Sequence, residues 1–123
     1  MPELLTQEWV DQVVERGASL PEVPGASATV QYVITGAPDG EVGHHQSIVD
    51  GRVQAAGLGD LDAADLVLTV PFDRLRAAAS GETVAPVELM RGRAKQVGSS
   101  GHLMALMPVL VSDGYREVIA ADA

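Results

Sequence analysis

The residues most able to do chemistry lie in one stretch, RGRAKQVGSSGHLMALMPVL, at positions 91–110. This stretch holds three cations within five residues, a loop of glycine and serine, one histidine and the most apolar run of the chain. Glycine and serine before a helix can offer backbone N–H groups to an anion. A phosphate-binding P-loop, however, needs Gly-x-x-x-x-Gly-Lys-Ser/Thr, whereas here the lysine precedes the glycines and His102 takes its place. We favour a helix cap at Ser99 or Ser100 over a nucleotide-binding site.

The histidines form no catalytic or metal-binding pattern. His44 and His45 are adjacent on a predicted strand, so their side chains point to opposite faces and cannot easily share a metal or a substrate. The sequence has no H-E-x-x-H motif, no G-x-S-x-G motif and no cysteine. We therefore predict a protein that is not an enzyme and that holds no metal and no cofactor. A small isomerase-like enzyme, with Tyr32 beside an inward carboxylate, is a less favoured alternative.

Composition argues against several classes of protein. The chain has 123 residues, which suits one domain, and a formal net charge of −9. Nucleic-acid binding needs clustered cations, and anionic membranes repel an acidic protein. The longest apolar run, residues 103–111, is far shorter than the roughly 20 residues of a membrane-spanning helix. The N-terminal residues lack a secretory pattern. We expect a cytoplasmic protein that binds no nucleic acid and has at most transient membrane contact.

The cations of the opening stretch fall on a predicted strand. Side chains alternate along a strand, so Arg93 and Lys95 share one face, whereas Ala94 and Gln96 share the other. Charges outside and small residues inside are typical of an edge strand over a helical layer, where cations also discourage edge-to-edge pairing. A solvated face is the favoured interpretation. An electrostatic guide for an anionic ligand head group is the alternative.

Hydrophobic periodicity predicts an α+β chain. Apolar residues recur at helical spacing around Trp9 and alternate at strand spacing around Tyr32. Turn residues such as Asp50-Gly51 separate the strands, and Pro108 is expected to interrupt a helix. Strands and helices are partly segregated, which favours helices that cover one face of a mostly antiparallel sheet. The predicted helices span residues 7–17, 71–79, 86–91, 101–107 and 115–121, and the predicted strands span residues 28–35, 42–49, 52–58, 66–70 and 93–97.

The helix after the glycine-serine loop carries an apolar stripe. Leu103, Met107 and Leu110 fall on one line of that helix, and Met104 lies on the next. Methionine adapts to varied apolar shapes. The bulky aromatic residues that usually fill a core are scarce: one Trp, two Tyr and one Phe. The sequence leaves two interpretations open, plain core or the wall of an apolar pocket.

A resemblance to a known family connects these features. The runs ADLVLTVPFDRLRAAASGE and MRGRAKQVGSSGHLMALMPVL resemble the sterol carrier protein 2 family, whose bacterial stand-alone members are most similar. The shared pattern is a strand, a helix ending in glycine, a short helix, Gly-basic-x-basic-x-x-Gly and an apolar helix. It covers roughly residues 5–111. The matching positions are Gly81, Gly92, Arg93, Lys95 and Gly98, together with the turn Asp50-Gly51-Arg52 upstream.

The resemblance implies one domain over residues 1–123, with a five-stranded, mostly antiparallel sheet and helices over one face. It also implies lipid transport without chemistry: an apolar tunnel between sheet and helices would bind fatty acids, acyl-CoAs, sterols or related lipids. Carried over by position, the tunnel-lining residues are Phe72, Leu75, Met90, Ala94, Gln96, Leu103, Met104, Met107 and Leu110.

Two positions depart from the family pattern. Members usually have large aliphatic residues where this chain has Ala94 and Gln96. Burying an unpaired amide costs about 1–3 kcal/mol, so Gln96 must bond a partner, face solvent or meet a polar group of the ligand. The alternative to a carrier is therefore a protein-interaction or regulatory module whose tunnel is closed.

Overall fold

The computed structural model describes residues 2–98 and 100–121, and ten helices and strands make up this part of the chain. Ser99, one of the two expected cap residues, lies outside it. The helices are α1 (Gln7–Gly17), α2 (Phe72–Ala79), α3 (Ala85–Met90), α4 (Ser100–Leu110) and α5 (Asp113–Ile119). The strands are β1 (Ala28–Ala37), β2 (Gly40–Val49), β3 (Arg52–Leu58), β4 (Leu66–Pro71) and β5 (Lys95–Gly98).

The five strands form one sheet in the order β3-β2-β1-β4-β5. Strand β1 pairs parallel with β4, and the other three pairings are antiparallel. The turn between β2 and β3 is the expected tight hairpin, since Asp50 and Gly51 both have positive φ, at 49° and 85°. The predicted α+β class and the mostly antiparallel five-stranded sheet are confirmed.

The helices bury one face of the sheet. Inward residues of β1 alternate along the strand, and Val30, Tyr32 and Ile34 are all buried. Helix α1 packs on β3 and α5, whereas α2 packs on β1, β4 and α5. None of the helices in the described ranges is long and apolar enough to cross a membrane.

Side chains of α1 bind the C-terminal end of α5. Trp9 Nε1 donates to the Ile119 carbonyl (3.1 Å), and Gln12 Nε2 donates to the Ala120 carbonyl (2.6 Å). Carbonyl groups at the end of a helix have no partner within that helix. Because α1 supplies their donors, the first and last helices are joined directly.

Several boundaries differ from the prediction by one to three residues, and the differences at β5 and α4 have a clear physical reason. Strand β5 begins at Lys95, two residues later than expected, because the N–H groups of Arg93 and Ala94 both donate to the Glu88 carbonyl (2.9 and 3.2 Å) and cannot pair in the sheet. Helix α4 continues through Pro108. The proline removes one helical hydrogen bond, but the Val111 N–H still donates to the Met107 carbonyl (3.1 Å) and prolongs the helical turn.

The contact between α1 and β3 predicts a size limit at Gly17. A Cβ added there would overlap the Val53 side chain and lie 2.6 Å from its Cγ2 atom. We expect Gly17→Ala to lower the free energy of unfolding by about 1–3 kcal/mol, measured by urea denaturation. Gly114→Ala is the matched control, because its new Cβ would meet only the end of the flexible Leu20 side chain. Equal stability of the two variants would contradict tight packing of α1 on β3.

Candidate functional site: an apolar cavity with a polar end

A small cavity lies between the sheet and the helices. Its apolar wall is formed by side chains of β1, β4, α2, α4 and α5. The main contributors are Ile34, Val70, Leu75, Ala78, Leu110 and Ile119. The cavity volume is about 40 Å³, which is room for a few water molecules. This volume is far below the roughly 300–1,000 Å³ of pockets that hold drug-sized ligands.

One end of the cavity is a buried chain of hydrogen bonds. The hydroxyl groups of Tyr32 and Tyr115 lie 2.9 Å apart, and the Tyr115 hydroxyl donates to Gln46 Oε1 (2.7 Å). Gln46 Nε2 lies 3.1 Å from His44 Nε2, and His44 Nδ1 lies 2.9 Å from the Gly57 carbonyl oxygen. All four side chains are buried and line the cavity. Strands β1 and β2 and helix α5 are thereby joined through their side chains.

The Gly57 carbonyl fixes the direction of every bond in this chain. A carbonyl oxygen only accepts, so His44 Nδ1 carries the proton and Nε2 of the neutral ring must accept from Gln46. The amide oxygen of Gln46 then accepts from Tyr115, whose single proton is used there. Tyr32 must donate to Tyr115. The Tyr32 oxygen accepts no bond within this chain, so its lone pairs can accept a hydrogen bond from a ligand.

The polar end is neutral at pH 7. Burial lowers the pKa of His44 from 6.5 to about 4; its bond to Gly57 opposes this effect, and the nearby His45 adds to it. Burial raises the pKa of Tyr32, and burial together with the neighbouring Tyr32 raises the pKa of Tyr115 well above its usual value. These groups can orient a polar group of a ligand by hydrogen bonding.

Aromatic packing holds the histidine ring in place. Trp9 of α1 packs against His44 with ring centroids 4.7 Å apart, and Tyr32 stacks on the same histidine ring with centroids 5.8 Å apart. Trp9 also lines the cavity. The tryptophan, which is the only one in the sequence, therefore lies where a ligand would change its surroundings.

A buried ion cluster borders the cavity on the side of α3. The Glu88 side chain is only 2% exposed, and its Oε2 atom lies 2.6 Å from Arg93 Nε. Arg93 Nη2 and the Thr83 hydroxyl both donate to Oε1, at 3.0 and 2.9 Å, and Arg74 Nη1 lies 3.7 Å from the same oxygen. A buried carboxylate is tolerated only with such partners. The Glu88 carboxylate is thus paired within the protein, and its contacts join α2, α3 and the segment before β5.

The residues expected to line a tunnel lie in several different environments. Leu75 and Leu110 line the cavity. Ala94 is buried in the core, Leu103 packs against the core, and Met107 is half-buried. Phe72 lines a separate open groove of about 690 Å³, beside the N-terminal residues and the turn between β1 and β2.

Three of the residues expected to line a tunnel lie at the surface or at the edge of the sheet. Met90 and Met104 are 84% and 66% exposed, because they lie on the outer sides of α3 and α4. Gln96 is half-buried on the edge strand, and its Nε2 donates to the Gly98 carbonyl (3.3 Å), so its amide is not buried without a partner. Ligand contact by any of the predicted residues stays a prediction.

Sequence reasoning missed most of the cavity's polar residues. Strand alternation puts Tyr32 on the same face as the apolar Val30 and Ile34, and it puts His44 and Gln46 together on one face of β2. Pairing the two strands in register would have brought these side chains together. No such signal exists for Glu88, whose partner Arg93 is five residues away and outside the helix.

Comparisons with known proteins identify the fold. No family model matches the sequence, and no curated protein matches it. Among solved structures, a sterol carrier protein 2 crystal structure superposes with a TM-score of 0.76 at 15% identity, covering 98% of this chain and 100% of the other. A possible sterol carrier protein from Thermus thermophilus gives 0.68 at 18% identity, covering 100% and 94%.

A palmitated sterol carrier protein 2-like protein from Aedes aegypti gives a TM-score of 0.69 at 14% identity, covering 88% of this chain and 96% of the other. These proteins define the class of fold as a mixed sheet covered by helices. More particularly, the chain has the fold of the sterol carrier protein 2 sterol-binding domain.

The low pKa of His44 predicts a pH dependence of stability. An unfolded chain has a histidine pKa near 6.5, whereas the folded value is about 4. Between these values the unfolded state binds a proton that the folded state does not, so stability is lost as the pH falls from about 6.5 towards 4. We expect this residue to contribute a loss of about 2 kcal/mol between pH 7.5 and pH 5, measured by urea denaturation. His44→Gln should remove that part of the slope and His45→Gln should keep it; equal slopes in both variants contradict the assignment.

The direction of the hydrogen-bond chain predicts unequal effects of two similar variants. Tyr115→Phe leaves the buried Gln46 Oε1 without its donor, so we expect a loss of about 1–3 kcal/mol in the free energy of unfolding. Tyr32→Phe removes only the terminal donor and should cost about 0.5–1.5 kcal/mol. Chemical denaturation of the two variants at pH 7.5 measures the difference. The reverse order of stability would show that the chain runs the other way.

Proposed function

We propose that the protein is a non-catalytic carrier that binds an apolar ligand, such as a fatty acid, an acyl-CoA, a sterol or a related lipid, between its sheet and its helices. The observation that carries the proposal is the apolar cavity at this interface, in a chain with the sterol carrier protein 2 fold. The Aedes aegypti protein with the same fold is described as palmitated. We also propose a cytoplasmic location with at most transient membrane contact.

The small volume requires the protein to open when it binds. An acyl chain needs several times the space of a 40 Å³ cavity, so part of the wall must move outward. The sheet side is fixed by strand pairing. On the helical side, Ala78 and Ala85 present small side chains to the cavity, and α3 has only six residues. Because these side chains are small, an outward displacement of α2 and α3 disrupts little packing. We therefore propose that these two helices move when a ligand binds.

Trp9 provides a direct test of the proposed carrier function. It lines the cavity and is the only tryptophan in the sequence, so ligand entry should shift its fluorescence. We expect titration with palmitate, palmitoyl-CoA or cholesterol to give a saturable change for at least one of them. Native mass spectrometry of the same sample should show one bound molecule per chain. No change and no adduct with any of the three would contradict the proposal.

Two leucines of α4 give matched variants for locating the ligand. Leu110 lines the cavity, whereas Leu106 is equally buried but does not line it. Each change to alanine should cost about 2–5 kcal/mol of stability. Only Leu110→Ala enlarges the cavity, so we expect it to raise ligand affinity several-fold while Leu106→Ala leaves affinity unchanged. Affinity from Trp9 fluorescence measures the contrast, and equal affinities would place the ligand elsewhere.

A protein-interaction or regulatory module is the second candidate function. It is favoured by the small cavity volume and by exposed apolar side chains at Met90, Val97 and Met104. A module of this kind would take up no lipid. The titration with three lipids therefore separates the two candidates.

A further inference from the structure

A second, positively charged cleft adjoins the apolar cavity. Its volume is about 270 Å³, and it lies where α2, α3, α5 and the segment before β5 meet. Four of the eight cationic residues of the sequence line this one cleft. They are Arg74, Arg91, Arg93 and Arg116. In a chain with a net charge of −9, such a concentration of guanidinium groups creates a local field that attracts anions.

The four arginines differ in their partners. Arg74 and Arg93 are directed at the buried Glu88 carboxylate. The side chains of Arg91 and Arg116 are exposed, and neither forms a hydrogen bond or ion pair with the residues described in the structure. Glu82 is the other acidic residue of the cleft. Arg74 also lies 3.7 Å from the Asp73 carboxylate, so the charges left for a ligand are those of Arg91 and Arg116, whose guanidinium groups can bind oxyanions in a bidentate way.

The cleft and the cavity share a wall. Arg74, Val84, Glu88 and Arg116 line both spaces. A ligand that enters between α2, α3 and α5 would therefore place one end among the arginines and the other against Leu75 and Leu110. An amphipathic molecule fits this arrangement better than a wholly apolar one.

The geometry points to a binding site for an amphipathic ligand with a doubly charged phosphate head group, whose phosphate is held by Arg91 and Arg116 and whose apolar part enters the cavity. This inference rests on the proposed carrier function. A phosphate monoester carries about −1.5 to −2 charges at pH 7 and three acceptor oxygens, which matches the two uncompensated guanidinium groups. A neutral lipid would form no ion pair with these two arginines.

The test compares decyl phosphate, decanol and inorganic phosphate on the full chain. Binding is measured by calorimetry at pH 7.5 in low salt, below the micelle concentration. We expect decyl phosphate to bind about tenfold more tightly than decanol, since a charged hydrogen bond contributes at least about 1.4 kcal/mol. Arg91→Gln and Arg116→Gln should each reduce that preference several-fold without altering thermal unfolding. Lys95→Gln is the control, because it removes an equal, exposed charge outside the cleft.

Each other outcome overturns the assignment in a different way. Equal affinity for decyl phosphate and decanol excludes a head-group site and leaves the carrier function intact. Inorganic phosphate that binds as tightly as decyl phosphate defines a site for a free anion, with no link to the cavity. If neither decyl compound binds, the phosphate site fails, and the titration with palmitate, palmitoyl-CoA and cholesterol decides the carrier function separately. If Lys95→Gln reduces the preference for decyl phosphate as much as Arg116→Gln does, that preference reflects only the overall charge of the protein.

Discussion

The bond between His44 and the Gly57 carbonyl determines much of what surrounds the cavity. It sets the tautomer of the histidine, the histidine sets the orientation of the Gln46 amide, and the amide sets the donor role of Tyr115. Because Tyr115 belongs to α5, a single backbone carbonyl on β3 controls how the last helix is attached to the centre of the sheet. Buried polar groups are costly when unpaired, so this arrangement specifies one position for α5.

The opposite side of the cavity is held by charge instead of neutral hydrogen bonds. Glu88 gathers Arg74, Arg93 and Thr83 around one buried carboxylate. Such a cluster contributes little net stability, because desolvation offsets the attraction, but breaking it partly would be costly. If the wall opens as proposed, we therefore expect Glu88 and Arg93 to stay paired, so that α3 and the segment before β5 move together.

Much of the fold followed from periodicity and turn residues, because these depend on local sequence. The ends of α1 and the hairpin at Asp50-Gly51 are examples. The start of β5 could not be predicted, since it depends on N–H groups that bond the Glu88 carbonyl. The residues of the site were even harder to predict from the sequence. The resemblance placed Leu75 and Leu110 by position, but Met90 and Met104 lie outside because exposure depends on how short helices are oriented. Glu88 gains its role only from tertiary contacts.

The bonds from α1 to the end of α5 have a consequence for biosynthesis. Trp9 and its carbonyl partner at Ile119 are separated by 110 positions. During synthesis, α1 therefore cannot complete these hydrogen bonds until α5 has been made, and contacts of such high sequence separation form late. Until then the apolar face of α1, with Trp9, Val10 and Val13, lacks its α5 neighbour. A nascent chain that has not yet reached α5 therefore exposes this face to aggregation or chaperone capture.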